Sequence, residues 1–358
     1  MSPKRTWRVG LVGLGSAAVN IHVPALNSLN HVEIVGGYDS KDVKTKRNIP
    51  VFDSLASLLE QTRPDIVCVI TPPSSHYEIA KQCLEHGVHV FCEKPFVETI
   101  EQGVDLIHLC RANNRSLVVN QEFRFMNTYT AAKKYIGHPD FGDLQFISAS
   151  QTFRTSSETE AGWRGLSKRR TCYEFGIHVL DLCRYFFGEE PLSISARMPK
   201  PGGQDGPDLL NLIELEFSGD RVAHITLDRL THGPHRYLDI RLDGTRGCIE
   251  SSFGGLMEVA MGVQGNGVGP FVRLERRASA SAKLFRGERG SVIGSDPHAV
   301  FPTATAKLFQ KMLDALESGA VPPCEASDNV KGLELMLAAY ESAERKGARI
   351  DIGTTAHI

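Results

Sequence analysis

Two short stretches carry residue types that transfer protons and stabilise charge on oxygen. In HVFCEKPF an apolar run ends in Glu93 and Lys94, immediately before Pro95. A strand that delivers charge into a crevice has a use for that ending. An ammonium at Lys94 can hold a substrate hydroxyl and stabilise charge developing on its oxygen. The structural alternative is a Glu–Lys pair at a strand edge. In TCYEFGIHVLDL, Glu174 and His178 are four residues apart and Asp181 follows three later. On a helix these positions share a face. A histidine exchanges protons near neutral pH, and a carboxylate beside it orients the ring. The same spacing also suits an ordinary ion-paired helix surface.

A third stretch, GLVGLGSAA, supplies Gly13-x-Gly15-x-x-Ala18. Gly13 makes the tight turn, Gly15 lets a pyrophosphate approach the backbone, and Ala18 keeps the helix close to the sheet. Ser16 lies on the same turn, where helical N–H groups favour phosphate. Asp39 ends the next apolar run and suits the ribose hydroxyls, which favours NAD. Lys41, Lys44, Lys46 and Arg47 leave NADP possible. In TPPSSH, Thr71, Pro72 and Ser74 are placed to touch the cofactor. His76 starts or caps the next helix and is a further cofactor candidate, as is Glu93.

These residues need a sheet to gather them. WRVGLVGLG, VEIVGGYD, DIVCVIT, VHVFCEK and SLVVNQE read as strands, with helical segments between them. Runs apolar on both faces imply a parallel sheet covered by helices, whose ligands lie beyond the strands' C-terminal ends. Pro24 interrupts the first helix. Later, DLQFISASQTF, SISARM, LLNLIELEF, RVAHITLDR and RYLDIRLDGTRGCIES read as strands, joined by hairpin signals at SGD and DGTRG. PKPGGQDGPD reads as an exposed loop. GGLMEVAMGVQGNGVGPF and RGERGSVIGSDPHAVFP read as irregular. ATAKLFQKMLDALESG and NVKGLELMLAAYESAERKG have helical spacing, and ARIDI suits an edge strand.

The fold class is therefore α/β. The chain has 358 residues, which suggests two domains. A formal charge of −2 gives no reason to expect nucleic acid or a membrane surface as partner. No apolar run approaches a membrane span, and MSPKRTWRVG is no secretory signal. The eight cysteines form no CxxC pair, so reduced thiols in a cytoplasmic protein are expected and a metal site is not.

GLVGLG, HVPAL, TPPSSHYEIA, VFCEKPF, NQEFRF, WR and GIHVLDL occur in an order that resembles the glucose–fructose oxidoreductase, inositol dehydrogenase and MocA family. The resemblance implies a Rossmann dinucleotide-binding domain, residues 1–122. It also implies a C-terminal α/β domain, residues 123–358, with a large, mostly antiparallel open sheet for substrate and oligomer contacts. A homodimer or homotetramer is implied. The implied activity is hydride transfer between NAD(P) and a hydroxyl or carbonyl carbon of a cyclic polyol, sugar or sugar derivative. His178 is then the acid/base, Lys94 stabilises the oxygen, and Glu174 stands where the family commonly has aspartate. Its extra methylene changes the reach toward His178. Trp163 and Arg164 match the family's WR pair and suit a sugar pocket; Arg124 and Tyr129 are weaker pocket candidates. At residues 168–170 Lys168, Arg169 and Arg170 replace a glycine-rich approach and suit an anionic group of the substrate, a wet surface or a subunit contact. Two other readings stay open: a nucleotide-binding regulatory or interaction protein without catalysis, and a non-redox enzyme that uses its cofactor transiently.

Overall fold

The computed structural model describes residues 5–41, 49–154, 163–201, 203, 206–233, 235–254, 257–264, 268–276, 280–296 and 299–353. Its first part alternates strand and helix: β1 (Trp7–Val12), α1 (Val23–Asn27), β2 (Val32–Tyr38), β3 (Val51–Phe52), α2 (Leu55–Thr62), β4 (Ile66–Val69), α3 (His76–Glu85), β5 (His89–Cys92), α4 (Ile100–Asn113) and β6 (Leu117–Val119). The strands pair in parallel in the order β3-β2-β1-β4-β5-β6. β4 and β6 are buried at every residue, as helices on both faces require. The two-residue β3 is the one strand of this sheet that the sequence does not announce, because two residues leave no periodicity. Pro24 sits in a helical stretch without ending it. The turn before it, Ala18–His22, is a π turn. Widening there relieves the clash between a proline ring and the carbonyl four residues earlier.

The rest of the chain adds α5 (Asn127–Tyr135), β7 (Leu144–Thr152), α6 (Trp163–Leu166), α7 (Ile177–Phe187), β8 (Ser193–Arg197), β9 (Leu210–Phe217), β10 (Arg221–Asp228), β11 (Arg236–Gly244), β12 (Cys248–Phe253), β13 (Met257–Gln264), β14 (Val268–Arg276), β15 (Ala280–Arg286), β16 (Arg289–Asp296), α8 (Val300–Ser318), α9 (Ala326–Glu344) and β17 (Ile350–Asp351). Nine of these strands form a second sheet, β16-β15-β12-β11-β7-β10-β9-β8-β17, antiparallel except between β7 and β10. Buried and less buried residues alternate along β7, β9 and β10. Each strand thus packs one side chain of every two against the core and leaves the other face open.

Two expectations need correction. The stretches read as irregular form the hairpin β13–β14 and the strand β16, which pairs with β15. Glycines hide the alternation there. At Gly290 a Cβ would lie 2.5 Å from the Phe285 ring, so a glycine lets that ring cover the strand. The supposedly exposed loop at 199–208 ends in buried Asp208, whose carboxylate accepts the N–H groups of Arg170 and Cys172 and the Tyr340 hydroxyl. This clasp fixes the turn that leads into α7.

The C-terminal part returns to the first sheet. Leu308, Phe309, Met312 and Leu313 of α8 share one core with Trp7, Val9, Leu11, Phe91 and Val118. Phe91 and Phe309 meet edge to face at 5.1 Å. Just before α9, the Cys324 carbonyl accepts the Val119 N–H at 2.8 Å.

Candidate active site

The strand ends of the first sheet converge through main-chain contacts. Gly13 has φ +92°, and a Cβ on it would lie 2.7 Å from the carbonyl carbon of Ile70. Only glycine fits that conformation and that approach. The next amide, on Leu14, donates to Asp39 Oδ2 at 2.8 Å, and the Lys41 amide donates to Oδ1 at 2.9 Å. Asp39 therefore braces the glycine turn from the end of β2 and still has acceptor lone pairs to spare. Gly15 and Ser16 are exposed, and the space where a Gly15 Cβ would sit is open. Ala18 is buried in the core below. A cradle open at Gly15, closed under Ala18 and edged by a carboxylate fits a dinucleotide. Lys44, Lys46 and Arg47 lie outside the described residues.

The turn after β4 is pinned as well. Ser75 donates its hydroxyl hydrogen to Thr71 Oγ1 at 2.8 Å. Thr71 is half-buried, while Pro72 and Ser74 face outward. His76 starts α3, but it is not on the crevice. It is buried, with Nδ1 2.8 Å from the Pro95 carbonyl and Nε2 2.7 Å from the Thr71 carbonyl. Burial lowers its pKa against the pull of those two carbonyls. Both nitrogens are committed to linking this turn to the end of β5, which removes His76 from the cofactor-contact set.

Glu93 and Lys94 follow β5, and the Lys94–Pro95 peptide is cis. Glu93 Oε1 meets His22 Nε2 at 2.7 Å and accepts from Asn120 Nδ2 at 2.8 Å. Burial alone would raise its pKa. The bond to His22, the charges of His22 and Lys94, and the Asn120 bond outweigh burial and hold it down to about 2. Lys94 Nζ donates to the main-chain carbonyl of Glu174 at 2.7 Å. Burial lowers the Lys94 pKa; the charges of Glu93 and Glu122 oppose that shift, and those of Arg164 and Arg229 add to it.

That bond joins the two sheets' contributions, but the Glu174 carboxylate goes elsewhere. It accepts from Arg164 Nε at 2.7 Å, pairs with Arg170, and lies 3.6 Å from Arg229 Nη1. The expected Glu174–His178 pair is not formed, and helix pitch explains why. Cys172–Gly176 is a π turn, so residues four apart no longer stack on one face. Asp181 is also diverted, receiving a bidentate Arg124 pair at 2.6 and 2.7 Å and a 3.4 Å contact from Arg184. His178 is oriented by rings instead. It stacks on Phe123 with centroids 4.3 Å apart and 6° between planes, and Phe175 closes its edge at 6.2 Å. Its Nδ1 is buried without a partner. Burial and then the charge of Lys94 hold its pKa well below the ordinary value.

The remaining pocket candidates separate. Arg124 ties Asp181 to Asp328, which lies 2.9 Å from its Nη1, so it fastens α7 to α9 and does not face a substrate. Tyr129 is fully buried core. Trp163 opens α6, and its side chain lies outside the described residues. Lys168 and Arg169 are exposed and line a cleft of about 420 Å³ with Pro73, Ser74, Glu98, Ser167 and Tyr173. The basic approach and the turn after β4 thus border the same opening. The Arg169 guanidinium also lies over the Tyr340 ring at 5.1 Å.

Three residues of the site carry no assignment in the sequence reading: His22, Arg229 and Glu122. Glu122 follows β6, at the strand end where ligand groups gather, and the rule applied to β1, β2, β4 and β5 points to it equally. It is 5% exposed, with Oε2 buried and unpartnered. Burial first, then the charge of Glu93, push its pKa up to about 8, while Lys94 opposes the shift.

Residues 7–121 match the GFO/IDH/MocA oxidoreductase family with its NAD-binding Rossmann fold, and residues 129–250 match the C-terminal domain of that family. An uncharacterized oxidoreductase of Schizosaccharomyces pombe is 30% identical over 209 residues, 55% of each chain, so the chain spans about half the length of that relative. The NADP-dependent scyllo-inositol 2-dehydrogenase of Bacillus subtilis is 25% identical over 95% of each chain. Among solved structures, an Agrobacterium radiobacter oxidoreductase in complex with NAD+, L-tartaric acid and magnesium superposes with a TM-score of 0.78. It is 21% identical, covering 97% of this chain and 98% of that one.

Proposed function

The chain belongs to the GFO/IDH/MocA oxidoreductase family, and from that premise we propose that it is a dehydrogenase or reductase of a hydroxyl or carbonyl carbon on a cyclic polyol, sugar or sugar derivative. The observation that carries this reading is the bond from Lys94, on the first sheet's crevice, to the carbonyl of Glu174, one turn before His178. It gathers a cation and a neutral imidazole where the two parts of the chain meet. The relatives named for inositol and apiose oxidation support the substrate class.

Gly13, Gly15, Ser16, Asp39, Thr71, Pro72 and Ser74 would hold the dinucleotide, which when bound accepts or returns a hydride at the substrate carbon. NAD is the favoured form. Asp39 presents a negative charge where NADP would bring a 2′-phosphate, and like charges at that range repel. In the oxidative direction the substrate hydroxyl proton passes to His178. The depressed basicity of His178 makes it ready to give the proton up again. Lys94 donates a hydrogen bond to the same oxygen as its charge changes. Arg164 and Arg169 border the substrate, and Glu174 holds Arg164 in place and pairs with Arg170, which is buried at 2% exposed. The chain works as a homodimer or homotetramer through its open sheet.

One observation favours a second reading. With the Glu174 carboxylate turned to arginines, His178 has no carboxylate to orient it, as expected of a nucleotide-binding interaction protein without turnover. The two readings part in one experiment. Cofactor-stripped protein is titrated with NAD+, NADH, NADP+ and NADPH, then assayed on a panel of inositols, aldoses and their oxidised forms. Saturable binding with turnover supports the enzyme, and binding without turnover supports the interaction protein. Failure of folded protein to bind any of the four sinks both.

A further inference from the structure

Two carboxyl groups flank Lys94, and the fold treats them oppositely. Glu93 receives donors: His22 at 2.7 Å, Asn120 at 2.8 Å and the Lys94 amide at 3.3 Å. Glu122 Oε2 receives none among the described residues and is sealed from solvent; the hydrogen bond that lowers the pKa of this carboxyl comes from its own backbone. An ionised carboxylate is an acceptor only, and burying one without donors is far costlier than burying the acid. The charged groups facing Glu122 settle the matter further. The charges of Glu93, after β5, and of Asp181, on α7, raise its pKa and that of Lys94 lowers it, while the charge of Glu122 in turn raises the pKa of Tyr237 on β11. Two of these are carboxylates against one ammonium, with Asp181 partly offset by its Arg124 and Arg184 partners. His178 is linked to the same turn through Phe123, the residue after Glu122, on which its ring stacks.

We propose that Glu122 is a positioning residue acting through Lys94: it stays a neutral carboxylic acid, leaving the Lys94 ammonium free to serve the substrate oxygen, and on ionising it draws that charge into an internal ion pair. The inference deepens the functional reading above and rests on it for the role of Lys94. It explains why one ammonium sits between two acids. Glu93 supplies the single counter-charge that keeps Lys94 protonated despite burial, and a second carboxylate would cancel its field at the substrate. Separating the ionisation of two neighbouring carboxyls by unequal donors assigns them different jobs.

Glu122→Gln, which is neutral at every pH, tests this in two ways. The first needs neither cofactor nor substrate. A carboxyl whose folded pKa is raised from 4.5 to about 8 keeps its proton in the fold after the unfolded chain has lost it. Its contribution is intact below the lower value and is lost as pH rises to the upper one. The variant lacks that loss, so its Tm minus the parent's must climb between pH 5 and pH 9. The second reads the ratio of kcat/KM, variant to parent, on the best substrate of the panel. That ratio must rise about tenfold between pH 7 and pH 9, as one ionisation removes the active form of the parent. A Tm difference that does not change with pH overturns the protonated Glu122. A kinetic ratio that is flat or falls with pH overturns the positioning role. Glu122→Met, equally uncharged, serves if the glutamine variant does not fold. Absence of turnover in the parent defeats the functional reading, and the Lys94 role with it, while the unfolding comparison still decides whether Glu122 carries the proton.

Discussion

On the dinucleotide side of the crevice the geometry is held by main chain. Gly13 packs on the Ile70 peptide, Leu14 and Lys41 amides grip Asp39, and carbonyls of Thr71 and Pro95 grip His76. On the substrate side the geometry is held by side-chain charge. Glu174 gathers Arg164, Arg170 and Arg229, Arg124 bridges Asp181 and Asp328, and Glu93 and Glu122 bracket Lys94. Main-chain contacts depend on the turn and tolerate few substitutions, but they are local. Charge networks span distant elements, and removing one member strands the others. The two sides should therefore fail differently: the first by losing cofactor, the second by losing chemistry or the fold.

Lys94→Met gives the largest expected effect. It removes the one ammonium that joins the sides through the Glu174 carbonyl. The turnover number should fall about a thousandfold, the scale of a lost charge-stabilising donor. NAD+ binding, measured by calorimetry, should survive, because the cradle does not use this side chain. A loss of binding equal to the loss of rate would erase the distinction between the sides.

Arg124→Met tests whether the second side is held by charge. The variant leaves buried Asp181 facing Arg184 alone and weakens the tie to Asp328 on α9. Breaking a largely buried pair by removing one partner costs about 3 kcal/mol. Chemical denaturation should show this as an earlier midpoint, with KM unchanged in the fraction that stays folded. A raised KM with normal stability would return Arg124 to the substrate pocket.

Gly13→Ala strikes the first side. The new methyl would meet the Ile70 backbone in a conformation disfavoured for L residues, so the turn must shift. Cofactor dissociation constants should rise about tenfold, equivalent to about 1.4 kcal/mol. The turnover number at saturating cofactor should move much less. Equal effects on both would mean that the turn also places the substrate.

The same contrast explains what the letters disclosed. Main-chain requirements leave signatures at short range, so the tight turn at Gly13 and the brace at Asp39 were legible, and so was the order of strands that gathers them. Lys94 and His178 were legible as residue types, but their neighbours were not. Glu122 feels Glu93, Lys94 and Asp181 from elements far along the chain, and no local pattern announces a carboxyl whose Oε2 will be buried without a donor. Asp208 looked like loop because Gly and Pro surround it, though its partners are Arg170, Cys172 and Tyr340. The hairpin β13–β14 was hidden by glycines that weaken alternation. The His76 imidazole was a cofactor candidate because sequence shows a ring at the start of the helix after β4 and not the two carbonyls that occupy it.

Glu174→Gln carries the smallest expected effect and the sharpest meaning. If a carboxylate at this position oriented His178, its loss would cost two orders of magnitude or more and would shift the acid limb of the pH–rate profile. The structure directs that carboxylate to Arg164, Arg170 and Arg229, while Phe123 and Phe175 orient the imidazole. The backbone carbonyl that holds Lys94 is unaffected by the change. The expected outcome is therefore a loss in kcat of only about threefold, roughly 0.7 kcal/mol, with the larger cost falling on stability because the carboxylate faces the buried Arg170 and Arg229. The acid limb governed by His178 should stay where it was. KM should change more than kcat, since Arg164, which Glu174 holds, is exposed at the proposed substrate side. A hundredfold fall in kcat with a displaced acid limb would show that Glu174 reaches His178 during turnover, and that the charge network is a resting arrangement which the substrate rearranges.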